Sequence, residues 1–128
     1  MKQVLLIDDD RDDAELFKEA LSEVNSSIGF VHYDDSKTGL SVLLEKYSDL
    51  PDVIFLDINM PIISGWQCLA EFKKTEHLRH IPVIMFTTSS QDREREIAKE
   101  LGADGFITKP SEYKALKELI ASVVDNNN

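Results

Sequence analysis

The stretch of sequence that decides the fold is VIFLD, Val53 to Asp57, in which four apolar residues in a row are followed by an aspartate. The four do not alternate with polar residues, and short runs of this kind are typical of strands buried on both faces of a parallel sheet. Three similar runs, bounded by polar or turn residues, stand at Val4–Ile7, Val83–Phe86 and Phe106–Thr108. A fifth run, Ile28–Tyr33, alternates more and predicts an edge strand.

Helical patterns separate these five predicted strands. Apolar side chains recur at helical spacing within Ala14–Val24, Leu40–Tyr47, Trp66–Lys73, Ile97–Leu101 and Leu116–Val123. Asp12, with Glu15 three residues later, is predicted to cap the first helix. Strand and helix therefore alternate five times, which predicts an α/β fold with a doubly wound parallel sheet, because right-handed crossovers place helices on both faces. We expect a single domain over residues 1–128, with its core over about residues 3–124.

The charge balance of the chain is acidic, with 24 Asp and Glu against 14 Lys and Arg and a formal net charge of −10. We find no local basic patch, and such a surface repels nucleic acid and anionic lipid, so neither is an expected partner. The single cysteine, Cys68, excludes an internal disulfide. No stretch reaches transmembrane length and Val4–Ile7 is too short for a signal-peptide core, so we expect a cytoplasmic protein.

Polar residues follow four of the predicted strands: Asp8, Asp9 and Asp10, then Asp57 and Asn59, then Thr87 to Ser90, and finally Lys109 and Pro110. In a parallel sheet these groups converge on one edge, where ligands of such folds bind. Two carboxylates about 4 Å apart repel by about 4 kcal/mol at an effective dielectric constant of about 20. A fold tolerates this when one acid is protonated or a cation is bound. An all-oxygen set suits Mg²⁺ or Mn²⁺ rather than zinc, and a metal-free acidic loop is the alternative.

Asp57 stands apart because it ends a buried strand, which should fix its carboxylate on a rigid element. Beside a cation, and with Lys109 and Thr87 opposite, such a carboxylate can attack phosphorus and form an acyl phosphate. In the alternative interpretation, Asp57 caps the next segment and Lys109 only pairs with it. The residues alone leave both open.

Four motifs together resemble the receiver domains of two-component response regulators, single-domain chemotaxis regulators in particular: Leu6–Asp10, Asp57–Pro61, Phe86–Ser89 and Lys109-Pro110. The resemblance implies a flavodoxin-like fold whose five parallel strands have the order 2-1-3-4-5. It implies a stand-alone signalling switch that is not an enzyme and catalyses only its own phosphorylation and dephosphorylation. The implied partners are a sensor histidine kinase or a histidine phosphotransfer protein and a separate downstream target or relay protein. The chain would be a monomer or a weak homodimer.

The resemblance also implies a role for each residue at the sheet edge. Asp57 would accept the phosphoryl group from a phosphohistidine. Asp9, Asp57 and the backbone carbonyl of Asn59 would bind Mg²⁺ or Mn²⁺ directly, and Asp8 would bind it through water. Asp10, a third acid in the first loop, is predicted to face solvent.

Three further residues would form the phosphate-binding and switch elements. Lys109 would pair with the phosphoryl oxygens, and Thr87 would donate a hydrogen bond to one of them. Phe106, which lacks the hydroxyl of the tyrosine often found there, would turn inward as Thr87 moves. The pair Lys109-Pro110 would form a cis peptide bond that aims the lysine into the site.

Other functions on this fold are less consistent with the residues. A phosphohydrolase similar to the haloacid dehalogenase group needs a second acid two residues after its nucleophile, where this chain has Asn59. A flavin binder would place a phosphate against Asp8–Asp10. A phosphorylation-independent interaction module stays open. We interpret Trp66 and Cys68 as packing residues and Arg93–Glu96 as a solvated helix face with local ion pairs.

Overall fold

A computed structural model describes residues 1–126, so residues 127 and 128 of the predicted domain lie outside the description. Five strands alternate with five helices along the chain. The strands are β1 (Gln3–Ile7), β2 (Gly29–Tyr33), β3 (Val53–Leu56), β4 (Val83–Thr87) and β5 (Gly105–Thr108). The helices are α1 (Arg11–Val24), α2 (Ser36–Glu45), α3 (Gly65–Lys74), α4 (Asp92–Glu100) and α5 (Tyr113–Asn126).

The strands form one parallel sheet in the order β2-β1-β3-β4-β5, which confirms the predicted fold class and strand order. Ile7 at the end of β1 is in register with Leu56 at the end of β3. Thr87 at the end of β4 is in register with Thr108 at the end of β5. The carboxyl ends of neighbouring strands therefore reach the same edge of the sheet, and the residues that follow them are brought together.

The sheet separates two apolar cores because consecutive strand residues point to opposite faces. In β3, Val53 and Phe55 face one core, and Ile54 and Leu56 face the other. Both faces are buried, which explains the absence of polar alternation in this strand. On the face covered by α1 and α5, Phe17 packs edge-on against Phe55 with ring centroids 4.9 Å apart.

Helix α1 begins earlier than the sequence indicated. Its N-cap is Asp10, whose side chain accepts a hydrogen bond of 3.0 Å from the amide of Asp13, so the predicted cap at Asp12 was wrong. Asp12 lies in the first turn instead, where an acid is stabilised by the helix dipole. Asp10 is exposed, as expected for a residue that faces solvent.

The buried face of α3 also differs from the predicted apolar stripe. In α3 the buried side chains are Cys68, Leu69 and Phe72, whereas Ala70 is exposed. Phe72 and Cys68 have a larger apolar surface than Ala70, so the face of α3 that carries them turns inward. None of the helices within residues 1–126 is long and apolar enough to cross a membrane.

Gly65, the first residue of α3, lies directly against the end of β3. Its amide donates a hydrogen bond of 2.8 Å to the carbonyl of Ile58. A Cβ atom added at position 65 would lie 2.1 Å from the backbone oxygen of Asp57. Only glycine permits this approach, and the side chain of Ser64 caps the helix beside it.

We therefore expect Gly65→Ala to lower the free energy of unfolding by about 2–3 kcal/mol, because the clashing atom belongs to the backbone and cannot rotate away. Urea unfolding measures the change. Gly29→Ala is the matched control, since a Cβ atom there meets only the carbonyl of Lys2 at 3.4 Å. Equal stabilities of the two variants would contradict the proposed close packing.

Candidate functional site

Three carboxylates meet at the carboxyl ends of β1 and β3. Asp8 and Asp9 follow β1, Asp57 follows β3, and one carboxylate oxygen from each lies within 4.8 Å of the others. Asp8 is fully buried and Asp57 is 6% exposed, whereas Asp9 is open to solvent. The predicted cluster is therefore present, and its two inner members have lost most of their hydration.

Backbone amides fix the orientation of the two buried carboxylates. One oxygen of Asp57 accepts a hydrogen bond of 2.9 Å from the amide of Ile58. One oxygen of Asp8 accepts a hydrogen bond of 3.0 Å from the amide of Asp10. The amide of Asp57 itself donates to the carbonyl of Ile7 at 3.0 Å, which continues the pairing of β3 with β1. The sheet thus positions both acids before any ligand arrives.

Lys109, which follows β5, brings the positive charge. Its Nζ lies 2.7 Å from Oδ2 of Asp8 and 2.9 Å from Oδ2 of Asp13. Its amide donates a hydrogen bond of 2.6 Å to the carbonyl of Thr87, so strand pairing with β4 directs the lysine across the sheet edge. Asp13 was not predicted as a partner of Lys109, although it lies in the first turn of α1, three residues after the N-cap Asp10.

The peptide bond between Lys109 and Pro110 is trans, since the described residues contain no cis peptide bond. The predicted cis junction was therefore wrong. The trans isomer is the intrinsically favoured one, and the hydrogen bond from Lys109 to Thr87 already carries the ammonium group into the site.

The environment of this site disfavours the charged forms of its buried acids. Burial raises the pKa of Asp57 to about 7, and the charges of Asp8 and Asp9 act in the same direction while Lys109 opposes them. Burial also raises the pKa of Asp8. Burial would lower the pKa of Lys109, but its hydrogen bonds to Asp8 and Asp13 outweigh that effect and raise it. The single positive charge of Lys109 is therefore too small to neutralise all of the acids around it.

These residues fit a divalent cation of the hard type. The available ligand atoms of Asp8, Asp9 and Asp57 are all carboxylate oxygens, which Mg²⁺ and Mn²⁺ prefer. The fit rests on the oriented, dehydrated carboxylates, because exposed acids alone are common on protein surfaces. Asn59 lies in the loop after Asp57, and its backbone carbonyl as a further ligand stays a prediction.

Thr87 and Phe106 occupy the β4 and β5 side of the site. Thr87 is fully buried, and its hydroxyl accepts a hydrogen bond of 3.4 Å from the amide of Ser89. Phe106 is half-buried, and the guanidinium of Arg95 lies 4.8 Å from the centre of its ring. Arg95 also donates a hydrogen bond of 3.3 Å to the carbonyl of Phe106, a contact absent from the predicted solvated face of α4.

Two residues that we interpreted as packing residues have that role. Cys68 is fully buried in α3, and burial raises the pKa of its thiol to about 11. Trp66 is half-buried and packs against the same core. Neither residue contributes an atom to the carboxylate cluster.

The pKa of Asp57 is raised from 3.8 to about 7. Ionisation of Asp57 in the folded protein therefore lowers the free energy of unfolding. This effect is negligible below about pH 4 and increases as the pH rises through 7. We expect Asp57→Asn to raise the free energy of unfolding of the metal-free protein by about 2 kcal/mol at about pH 8, and by much less at about pH 4.5. Urea unfolding in a chelator at the two pH values measures this. A variant that is no more stable than the wild type at the higher pH would refute the electrostatic account.

Comparisons with known proteins identify the family of this chain. The Response regulator receiver domain family matches residues 4–121. The chain is 35% identical over 124 residues to the chemotaxis protein CheY of Halobacterium salinarum, covering 96% of this chain and 97% of that protein.

Two solved structures are similar over nearly the whole chain. The phosphorylated cyanobacterial phytochrome response regulator RcpA has a TM-score of 0.88 at 26% identity, with 97% of this chain and 91% of that chain covered. The Mn²⁺-bound form of the response regulator Rcp1, a protein of Synechocystis, has a TM-score of 0.85 at 28% identity, with 96% and 91% covered. With its fold, its motifs and these relatives in agreement, the chain belongs to the response regulator receiver domain family of two-component signalling.

Proposed function

We propose that the chain is a phosphorylation switch that accepts a phosphoryl group on Asp57 from a phosphohistidine of a histidine kinase or phosphotransfer protein. The observation that carries this proposal is the buried, oriented carboxylate of Asp57 inside the cluster with Asp8 and Asp9. Membership of the receiver family supports it, because receiver domains work with such donors.

The residues of the site supply the elements of this reaction. A carboxylate oxygen of Asp57 attacks phosphorus, the phosphorus–nitrogen bond of the phosphohistidine breaks, and its electron pair returns to the imidazole nitrogen. Lys109 supplies a compact positive charge for the phosphoryl oxygens, and the hydroxyl of Thr87 supplies a hydrogen-bond donor. When bound by Asp8, Asp9, Asp57 and the carbonyl of Asn59, Mg²⁺ or Mn²⁺ would neutralise charge on the transferring group.

The proposed output is a change of surface on the β4 and β5 side. A phosphoryl group adds nearly two negative charges beside Thr87, which is joined to the loop before α4 through Ser89. Thr108 links that loop to β5 with a hydrogen bond of 2.9 Å from its hydroxyl to the carbonyl of Ser89. Phe106 and Arg95 lie next along β5 and α4, so their stacking is the element that we expect to respond. An almost complete shift requires a difference of about 5 kcal/mol between the two states.

The nature of the partners follows from charge and similarity. A protein of net charge −10 is a poor ligand for nucleic acid, so we infer that its target or relay partner is another protein. Both structural relatives described above are response regulators, and one is named for a phytochrome. A phytochrome-type histidine kinase is therefore the first phosphodonor to test.

Incubation with acetyl phosphate and Mg²⁺ is expected to add one phosphoryl group to the wild type and none to Asp57→Asn, as read by intact mass and peptide mapping. Asp12→Asn, which changes an exposed acid of α1, is the control and should be phosphorylated normally. An equal adduct on Asp57→Asn would refute the acceptor role. Sustained release of phosphate from p-nitrophenyl phosphate would support a phosphohydrolase instead.

Divalent cation binding is expected to stabilise the fold, because the cation relieves the repulsion within the cluster. Mg²⁺ at about ten times its dissociation constant should raise the free energy of unfolding by about 1.4 kcal/mol. Urea unfolding followed by the fluorescence of Trp66, the single tryptophan, measures this at constant ionic strength. The stabilisation should persist in Asp12→Asn and disappear in Asp9→Asn. Identical unfolding curves with and without Mg²⁺ would argue against a metal site.

A further inference from the structure

His32 makes a contact that its place on an edge strand does not require. Its Nε2 lies 2.8 Å from the backbone carbonyl oxygen of Asp8, 24 residues away in the chain. A carbonyl oxygen can only accept a hydrogen bond, so this nitrogen carries the proton and donates it. The side chain of His32 therefore joins the end of β2 to the backbone of the loop between β1 and α1.

The sheet and the aromatic core hold the imidazole of His32 in place. His32 is in register with Leu6 of β1 and points to the same face of the sheet as Phe30, two residues earlier. The rings of Phe30 and His32 lie 17° from parallel with centroids 6.5 Å apart. Phe30 stacks in turn on Phe17 of α1, with centroids 5.7 Å apart. A donor that is supported in this way has a fixed direction.

The carbonyl that accepts this hydrogen bond fixes the backbone of Asp9. The carbonyl of Asp8 and the amide of Asp9 belong to one planar peptide unit, so a contact that orients the first also orients the second. Asp9 is exposed, and within residues 1–126 no hydrogen bond or ion pair holds its carboxylate. The direction of this carboxylate towards Asp57 therefore depends on the backbone of its loop.

Other contacts hold the loop at neighbouring points. The amide of Asp8 donates a hydrogen bond of 3.1 Å to the carbonyl of Tyr33, which continues the pairing of β1 with β2. Arg11 pairs with Asp34 at 2.7 Å, but both side chains are well exposed and the pair is weak. Neither contact involves the peptide unit between Asp8 and Asp9, which leaves that unit to His32.

We propose that His32 is a positioning residue for the divalent cation, because it holds the carbonyl of Asp8 and so keeps the carboxylate of Asp9 directed towards Asp57. The inference rests on the metal site of the proposed function and adds a residue of β2 to it. His32 contributes no atom to the carboxylate cluster itself. Loss of a hydrogen bond that orients a metal ligand typically lowers metal affinity about 10- to 100-fold.

The test uses two substitutions of similar length that differ in one donor. In His32→Gln the side-chain amide can donate to the same carbonyl, whereas His32→Met has no donor. His77 provides a matched control, because its Nε2 makes the same kind of contact, 3.1 Å from the carbonyl of Leu43. His77 does not belong to the carboxylate cluster, so His77→Met removes an equivalent hydrogen bond away from the acids.

Mn²⁺ is the probe, and its binding is measured at one fixed pH from the electron paramagnetic resonance signal of the unbound ion. We expect His32→Met to raise the dissociation constant for Mn²⁺ about tenfold, and His32→Gln to stay within about threefold of the wild type. His77→Met should bind Mn²⁺ as the wild type does. Urea unfolding in a chelator should show similar losses of stability for both methionine variants, since each loses one hydrogen bond and one ring contact.

Phosphorylation gives a second measurement on the same variants. With acetyl phosphate as donor, the Mg²⁺ concentration for half-maximal labelling of Asp57 should rise about tenfold in His32→Met. The labelling rate at saturating Mg²⁺ should equal that of the wild type, because His32 acts on cation binding and not on the transfer step.

Three results would overturn the inference. They are equal Mn²⁺ affinities of His32→Met and the wild type, a failure of His32→Gln to restore the affinity, and an equal loss of affinity in His77→Met. A wild-type protein that binds no Mn²⁺ would instead refute the metal site of the proposed function.

Discussion

The repulsion between Asp8 and Asp57 is the constraint on which the rest of the site depends. Parallel pairing of β1 with β3 forces their carboxylates together, and burial removes the water that would screen them. Lys109 relieves part of this repulsion through its contact with Asp8 at 2.7 Å, but it also serves Asp13. The two apolar cores thus stabilise an arrangement that the acids alone would not adopt, and the site retains an affinity for positive charge.

Much of the fold was predictable because its strongest signals are local. The apolar run Val53–Leu56 matches β3 at both ends, and its lack of alternation reflects burial on both faces. The gathering of Asp8, Asp9 and Asp57 followed from the topology alone, since β1 and β3 are neighbours.

What could not be predicted depends on contacts between distant residues or on choices between similar ones. Asp10 and Asp12 are equally suited to cap a helix, and only the position of the first turn decides between them. The contacts of Lys109 with Asp13 and of Arg95 with Phe106 join different elements of the fold. The pair Lys109-Pro110 carries no local signal that distinguishes its two isomers, and the inferred cis form came from resemblance alone.

The close approach of Gly65 to the backbone of Asp57 has a mechanical consequence. Helix α3 cannot move closer to Asp57, because no side chain separates the two backbones. Any displacement that added charge produces is then directed away from α3. The β4 side of the site holds Thr87 and Ser89, joined by a hydrogen bond of 3.4 Å. Under the proposed function, the charge added at Asp57 would therefore displace the loop after β4 rather than α3.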